Sequence, residues 1–438
     1  MSFNTALSGL RAANQDLSVT GNNIANASTT GFKRSRAEFG DVYASTLVAS
    51  GNAPGSGVLV ADVAQQFTQG NISFTDNALD LAINGQGFFV LNDGGARSYT
   101  RAGNFGLDAE GYIVANNGAR LVGYAATAQG DIQDGREVDL RVQTTDLSPG
   151  LTKMVDTQFN LDSREAIPAV SPFDPADPAS YNSSTALTIY DSQGNPHILS
   201  QYFVKTADNT WDLNIQIDGN DVGTPSDTGI GSPPSLASYS LSFNTDGSLA
   251  SINRRDFDSG GAATGTTAVT GVQIDNWDPG NATAGPTSTP VNSSFAFNIG
   301  GSTQFGAAFA VSSVAQDGFA PGRLAGVEVS ESGVIFARYT NGQALNLGQF
   351  VMADFANVQG LTPLGDTTWG ESFESGQPVP GVPGNGSFGA IQAGGLEESN
   401  VDLSEQLVRL IIAQRNYQAN AKTIETADTV TQSIINLR

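Results

Sequence analysis

Residues 396–438 have the sequence LEESNVDLSEQLVRLIIAQRNYQANAKTIETADTVTQSIINLR, in which apolar side chains recur every three or four positions. This spacing predicts a long amphipathic helix. Asn400, Asp402 and Ser404 are candidate N-caps, because their side-chain oxygens can accept hydrogen bonds from the free N–H groups of a first helical turn. No Gly or Pro interrupts the pattern after Ser404. About 35 helical residues would extend about 52 Å.

A second amphipathic helix is predicted at the other end of the chain, within residues 1–27. Its apolar residues form a narrow stripe with spacings of three, four or seven. Small residues four positions apart, at Gly9 and Ala13 and again at Gly21 and Ala25, would let another helix approach closely. The segment is too polar to span a membrane.

The two stripes together define a candidate polymerisation seam. Ordering about 60 helical residues costs about 1–2 kcal/mol each, whereas about a dozen buried apolar side chains return about 1.5–3 kcal/mol each. A single pair of such helices is therefore marginal, and we expect further copies to cover the seam. Its residues are Phe3, Leu7, Leu10, Leu17, Ile24, Leu403, Leu407, Leu410, Ile411, Tyr417, Ile424 and Ile434.

Between the helices the pattern changes to short apolar runs separated by turn residues. Leu79, Leu81 and Ile83 alternate with other residues, and Asn84-Gly85 is a typical type I′ turn pair. Residues 88–91 then return as a strand, so we predict a β-hairpin here.

Further turns are expected at regular intervals, which is typical of sandwiches and barrels rather than of βαβ units. They lie at Asp108 to Gly111, Asn117-Gly118, Ser192 to Gly194, Asp246-Gly247, Ser332-Gly333 and Asn341-Gly342. The fold class is therefore mainly β and multidomain, with long N- and C-terminal helices that pair as a coiled-coil-like inner domain around nested antiparallel β domains.

Stretches rich in Pro, Gly and Ser suggest the domain boundaries. We expect a helical polymerisation domain from 1–27 and 396–438, a connector from 28–72 and 366–395, an inner β domain from 73–145 and 293–365, and an inserted outer β domain at 146–292.

Charge is distributed unevenly along the chain. The net charge is −23, but residues 1–36 carry +3 and residues 403–438 carry +1, so residues 37–402 carry −27. An acidic protein is a poor partner for nucleic acid or an anionic membrane. Nearly neutral ends can instead pack densely against copies of themselves, while acidic outer domains repel one another and stay soluble.

The sequence offers little for catalysis. It contains no Cys, and its only histidine, His197, follows a turn and is expected to be an ordinary exposed side chain. No nucleotide-binding, zinc-protease or EF-hand motif occurs, and acidic turns such as 256–261 lack calcium-loop spacing. We therefore expect no enzyme activity, no cofactor and no metal, although 43 acidic residues could always supply a glycosidase-like carboxylate pair.

The N-terminal sequence lacks the basic start and apolar core of a secretory signal. No apolar stretch approaches the 18 residues of a membrane span. Export by a route without such a signal, or a cytoplasmic location, therefore remains open at this point.

Three blocks of sequence resemble the family of bacterial flagellar rod and hook proteins. ALSGLRAANQDLSVTGNNIANASTTGFKRSRAEFGDVYAS (6–45) is similar to the family's N-terminal signature, and LDLAINGQGFFVL (79–91), continuing through 99–124, resembles its first β segment. Residues 396–438 resemble its C-terminal helix. Rod proteins are generally shorter, so the long middle segment, in which 186–213 and 348–369 also resemble hook proteins, favours the hook branch.

This resemblance implies a structural subunit of the hook, a flexible hollow tube that transmits torque as a universal joint. It implies a helical homopolymer that leaves the cell through the flagellar type III export apparatus and assembles under a hook cap. The distal rod protein and the hook–filament junction proteins would be its neighbours. Two alternatives remain: a distal rod protein with an insertion, and a secreted β-rich adhesin or carbohydrate-binding protein.

Overall fold

The computed structural model describes residues 2–42, 55, 57–128, 130–143, 145–222, 237–257, 263–277, 279 and 293–436. The chain folds into two compact units. The first unit comprises Met1–Thr144, Leu324–Arg338 and Gln343–Arg438, and the second comprises Thr145–Arg323 and Tyr339–Gly342. The middle of the expected 28–72 connector lies outside the described residues.

Two α-helices and 31 strands occupy the described residues. The helices are α1 (Ser2–Ala25) and α2 (Leu403–Asn436), and short 3-10 helices span Pro178–Ser180 and Val358–Gly360. Strands β1 to β11 are Ser35–Asp41, Val58–Gln65, Ile72–Phe74, Leu81–Asn84, Phe88–Asp93, Ala96–Thr100, Gly106–Leu107, Ile113–Val114, Arg120–Ala126, Ile132–Asp139 and Met154–Asp162. Strands β12 to β22 are Ser183–Tyr190, Pro196–Ala207, Thr210–Ile217, Asn220–Asp221, Ala237–Phe243, Leu249–Phe257, Ala263–Val269, Val272–Trp277, Ser293–Asn298, Thr303–Phe305 and Ala310–Gln316. Strands β23 to β31 are Leu324–Val329, Val334–Tyr339, Ala344–Phe350, Met352–Asp354, Thr362–Gly365, Thr368–Gly370, Val379–Gly381, Ala390–Ala393 and Gly395–Glu397.

The predicted fold class is confirmed, since helices occupy both ends of an otherwise β-rich chain. Asp402 is the N-cap of α2: its Oδ1 accepts hydrogen bonds from the backbone N–H groups of Ser404 (2.8 Å) and Glu405 (3.1 Å). Neither helix is long and apolar enough over its described residues to cross a membrane.

The first unit is built on a 13-stranded sheet with the order β23-β24-β25-β9-β5-β6-β28-β27 along its main path. Strand β5 lies near its centre and is buried on both faces, which explains the continuous apolar run Phe88 to Leu91. Because side chains alternate along a strand, Phe89 and Leu91 enter one hydrophobic cluster and Phe88 and Val90 another. Edge-to-face ring contacts link Phe88 with Trp369.

The predicted hairpin at Asn84-Gly85 is wrong. Strand β4 pairs with β30, and β5 pairs with β6, β9 and β26, so the two predicted hairpin arms pair with other strands. Gly85 has φ 128°, outside the left-handed helical conformation of a type I′ turn. A Cβ at this position would lie 2.8 Å from Gly389 Cα, so glycine is needed here for close approach of two backbones.

All six other predicted turns are present. In each, the glycine N–H donates a hydrogen bond to the carbonyl three residues earlier. The acceptor residues are Asp108, Ala115, Asp191, Asn244, Ser330 and Tyr339. Local turn chemistry was therefore a reliable guide wherever the flanking strands are sequence neighbours.

The segment 366–395, expected to act as a connector, is instead folded onto the first unit. Its strands β28, β29 and β30 pair with β6, β26 and β4, and β31, which begins at Gly395, pairs with β3. The glycines in this segment suggested a connector, but several of them allow tight packing. A Cβ at Gly381, for example, would lie 2.1 Å from Phe388 Cε2.

The second unit contains a five-stranded sheet, β19-β20-β11-β21 with β22 on β11, and a seven-stranded sheet, β12-β13-β14-β16-β17-β18 with β15 on β14. One hydrophobic core joins them, and Phe159, Phe203 and Trp211 are among its fully buried side chains. Strand β11 pairs in parallel with β20 and β21, which is an exception to the expected antiparallel arrangement.

The expected return to the first unit at residue 292 is wrong. Strands β20, β21 and β22, which follow that residue, all pair with β11 and therefore belong to the second unit, which continues to Arg323. The sequence signal for a boundary was a stretch rich in Pro, Gly and Ser, but much of that stretch lies outside the described residues.

His197 is not the ordinary exposed side chain that was expected. Its side chain is 13% exposed and lies between two carboxylates: Nδ1 is 2.6 Å from Asp218 Oδ2 and Nε2 is 3.4 Å from Asp191 Oδ2. Its ring meets the Trp277 ring edge-to-face at 4.9 Å. The sequence showed that His197 follows a turn, but it could not show that Asp191, Asp218 and Trp277 would cover its ring.

Asp212 on β14 is a buried acidic residue of the second unit. Its Oδ2 lies 2.6 Å from Arg255 Nη2, whereas its Oδ1 is buried without a hydrogen-bond partner in the described part of the chain. Burial raises the pKa of this carboxyl to about 6, and the Arg255 charge only partly opposes the shift. The ionised form is therefore destabilising at neutral pH.

We expect the stability of the second unit to depend on this carboxyl. The folded-state pKa lies above the unfolded value, so the protonated carboxyl stabilises the fold at low pH, and this contribution is lost as pH rises through about 6. Lowering the pH from 7 to 5 should therefore stabilise the wild type relative to Asp212→Asn by about 1.3 kcal/mol of unfolding free energy, seen as a higher relative melting temperature. A difference between the two melts that does not change with pH would contradict this.

Candidate functional site: the paired terminal helices

Helices α1 and α2 lie against each other in antiparallel orientation. Asn23, near the end of α1, donates a hydrogen bond from Nδ2 to Oε1 of Gln406 near the start of α2 (3.1 Å). Near the other end of the pair, a Cβ on Gly9 would lie 2.6 Å from Oδ1 of Asn420. The predicted close approach at Gly9 is thus present, whereas nothing lies within 4 Å of the corresponding position at Gly21.

Small and polar residues fill the centre of this contact. The buried residues of α1 include Ala6, Ala13 and Thr20, which repeat every seven positions, and α2 buries Gln406 and Ala413 at the same spacing. A seven-residue repeat is typical of coiled-coil pairing. The buried side chains are small, however, so this contact removes little apolar surface from water.

The predicted seam is left largely uncovered. Phe3, Leu403, Leu407, Ile411 and Tyr417 are exposed. The half-buried members are Leu7, Leu10, Leu17, Ile24, Leu410 and Ile424. The side chain of Ile434 is outside the described residues. Within one copy of the chain, the described large apolar side chains of α2 are therefore at most half-buried, and Leu407 and Ile411 are each 50% exposed.

A buried ion cluster lies at the base of the helices and was not predicted from the sequence. Glu397 is fully buried and meets two cations: its Oε1 is 2.5 Å from Lys33 Nζ, and its Oε2 is 3.3 Å from Arg101 Nη1. Oε1 also accepts a hydrogen bond from the backbone N–H of Gly70 (2.9 Å). Burial lowers the pKa of both Lys33 and Arg101, and the charge of Glu397 opposes that shift.

Amide side chains extend this connection to the helices. Asn400 accepts a hydrogen bond from Arg34 N (2.8 Å) and donates to the carbonyl of Gln66 (2.7 Å). Asn23 accepts from Ser35 N (2.9 Å) in the same way. These hydrogen bonds join residues that are far apart in sequence, at a point just before α2 begins. The signal in the sequence was weak: only the polar Asn23 on an otherwise small-residue face hinted at a buried hydrogen bond.

A cleft of about 780 Å³ in the first unit is lined mainly by Asn and Thr side chains. Its titratable lining residues are Lys33 and Asp366. One carboxylate cannot supply the pair that glycoside hydrolysis requires.

Four family profiles match the chain in order. They are described as "Flagellar basal body rod protein" (residues 3–33), "Flagellar hook protein FlgE/F/G D1 domain" (82–148), "Flagellar basal body protein FlaE D2 domain" (160–319) and "Flagellar basal body rod FlgEFG protein C-terminal" (392–437). A solved structure of the Helicobacter pylori flagellar hook protein FlgE2 shares the fold, with a TM-score of 0.50 at 15% identity over 74% of this chain and 100% of that one. Terminal helices flanking β units thus define an axial protein of the bacterial flagellum.

Comparison with full-length relatives identifies one family within this class. The chain is 38% identical to the flagellar hook protein FlgE of Salmonella typhimurium over 441 residues and to that of Escherichia coli (strain K12) over 443 residues, covering 100% of each chain. The hook protein of Treponema pallidum is 34% identical, over 99% of this chain and 98% of its own. The chain belongs to the flagellar hook protein FlgE family. It is a structural subunit located in the flagellar hook and basal body, and this assignment replaces the rod and adhesin alternatives.

Proposed function

We propose that the large apolar residues of α1 and α2 form the surface through which the subunit polymerises into the hook. The observation that carries this proposal is the exposure of Leu403, Leu407 and Ile411 on one face of a 34-residue helix. Burying each of these side chains would contribute about 1.5–3 kcal/mol. The α1 contact lies on a different face, so a neighbouring copy can cover the stripe without displacing α1.

Such an assembly is open-ended. When one surface of a subunit binds a different surface of the next, and the rotation between them does not close a ring, a helical filament results. Helices packed through apolar side chains resist deformation because their interiors are close-packed. The acidic β regions repel one another and have polar surfaces that can slide, so a tube of such subunits can bend while it transmits torque.

The specific binding partners of the subunit are part of the same proposal. It is exported by the flagellar type III apparatus, assembles under a hook cap, and meets the distal rod protein at one end of the tube and the hook–filament junction protein at the other. It acts as a structural element without enzyme activity or a cofactor. The regions of near-neutral charge at both ends of the chain support dense packing of the helices in the polymer.

Electron microscopy of hooks from a strain that lacks the gene, with and without complementation, tests this function. Complementation should restore curved hollow tubes, because the subunit is expected to form a bendable joint. Straight rigid tubes would indicate a rod-like role. Normal hooks in the uncomplemented strain would contradict the proposal altogether.

A further inference from the structure

Phe373 is a wholly exposed aromatic residue of the first unit. Its relative exposure is 102%, the highest among the exposed large hydrophobic residues. Scattered apolar residues on a surface are ordinary, but a phenyl ring that no described residue covers forfeits the stabilisation that burial would bring. The residue also follows Glu371 and precedes Glu374, so acidic side chains flank the ring.

The turn that presents Phe373 is held rigidly. Ser375 is fully buried and its Oγ donates to the Ser372 carbonyl (2.9 Å), while Ser372 Oγ donates to the Gly360 carbonyl (2.5 Å) and accepts from the backbone N–H of Glu374 (3.0 Å). Asn357 Nδ2 also donates to the Glu374 carbonyl (3.0 Å). The backbone that carries the exposed ring is therefore held in place, which lowers the entropy cost of ordering this turn on binding.

A groove elsewhere in the first unit could receive such a ring. It lies between α1 and β2 and has a volume of about 410 Å³. Its lining combines the apolar Leu7, Ala12, Val58, Leu59 and Val60 with the polar Asn4, Ser8 and Arg11. An apolar cavity of about 150 Å³ is enough to bind benzene. Leu59 is 48% exposed, so a bound ring would bury apolar surface that now faces water.

Charge also favours this match. Arg11 lines the groove, is exposed, and makes no ion pair with another described residue. A guanidinium at this position can interact with the face of an entering aromatic ring. It can also attract the carboxylates of Glu371 and Glu374 beside Phe373. The same attraction exists on a larger scale, because residues 1–36 are positively charged and residues 37–402 are negatively charged.

We propose that Phe373 of one subunit docks in the α1/β2 groove of a second copy of this chain. This inference rests on the proposed polymerisation and adds a contact separate from the helix seam. The ring and the groove are different surfaces, so the contact is head-to-tail and can repeat along a filament. A second copy is the occupant because the proposed function is a homopolymer and because the two surfaces complement each other in polarity and charge.

Engineered cysteines test the contact directly, because the chain contains none of its own. In polymers of Phe373→Cys/Leu59→Cys, mild oxidation should give a ladder of disulfide-linked oligomers, which a verified monomer should not give. Phe373→Cys/Val63→Cys is the matched control: Val63 lies on the same strand, about 13 Å further along, and does not line the groove. Equal ladders from both pairs would overturn the proposed docking site.

Phe373→Ser provides an independent measurement. The critical concentration for assembly should rise about ten- to hundredfold, with an unchanged monomer melt because the ring is already wholly exposed in the single chain. Assembly at the wild-type concentration, or polymers without a 373–59 crosslink, would overturn this inference while leaving the proposed function intact. The proposed function fails separately if variants in the helix seam polymerise normally.

Discussion

Leu407→Asp is expected to abolish polymerisation while changing the melting temperature of the monomer by no more than about 2 °C. Leu407 is 50% exposed in the single chain, so an aspartate there meets water and costs little. In the polymer the same carboxylate would be buried against another helix, which forfeits about 1.5–3 kcal/mol of apolar burial and adds a desolvation cost of several kcal/mol. The penalty recurs at every subunit, so sedimentation and electron microscopy should detect no tubes.

Asn416→Asp is the matched control for this variant. It introduces the same charge on the same helix, but nine residues further along, which places it on the opposite side of a helix with 3.6 residues per turn. Asn416 is also exposed. Export must be measured alongside assembly, because a protein that never leaves the cell reports nothing about packing. If exported Leu407→Asp builds normal hooks, the helix face is not the polymerisation surface.

Glu397→Ala should have the largest effect on the stability of the monomer. The substitution leaves Lys33 and Arg101 buried without their shared carboxylate, and Nε of Arg101 already lacks a partner among the described residues. Breaking a buried ion pair by removing one partner typically costs about 3–5 kcal/mol. We therefore expect the melting temperature to fall by about 10 °C.

Glu398→Ala is the control for this measurement, because the adjacent carboxylate is exposed and removing it should change the melt by less than about 2 °C. Calorimetry of the full chain would compare both variants with the wild type. Equal decreases for the two variants would show that the buried cluster contributes no more than an ordinary surface charge. A large decrease for Glu397→Ala alone would establish that the cluster stabilises the first unit.

Features that depend on neighbouring residues could be predicted from the sequence. The three- and four-residue spacing gave both helices, and Asp402 was among the predicted caps because capping needs only its own side chain and the next few N–H groups. The turns at Asn117-Gly118 and Asn341-Gly342 were predicted for the same reason. In each case the hydrogen-bonding partners lie within a few residues of one another.

Features that depend on distant pairing could not be predicted in this way. The sequence on either side of Asn84-Gly85 fits a local hairpin as well as it fits the observed pairing. In the structure, β4 instead pairs with residues 390–393, about 300 positions later. The register of strands so far apart in sequence depends on the packing of the whole sheet, and a local sequence pattern carries no information about that packing. The boundary at Arg323 was missed because β11 pairs with three strands that follow residue 292.

The sequence by itself determined the class of protein, since two amphipathic ends, a turn-rich acidic middle and the family blocks are all properties of contiguous residues. Only the tertiary structure decided which face of α2 is covered by α1 within a single chain. Side-chain spacing shows that a stripe such as Leu403, Leu407 and Ile411 is apolar, but it does not reveal what will cover it. That depends on the close approach allowed at Gly9 and on the polar pair Asn23 and Gln406, which bring α1 against another face. The stripe is left uncovered because small residues permit helices to approach more closely than leucines do, and the antiparallel register uses the small ones.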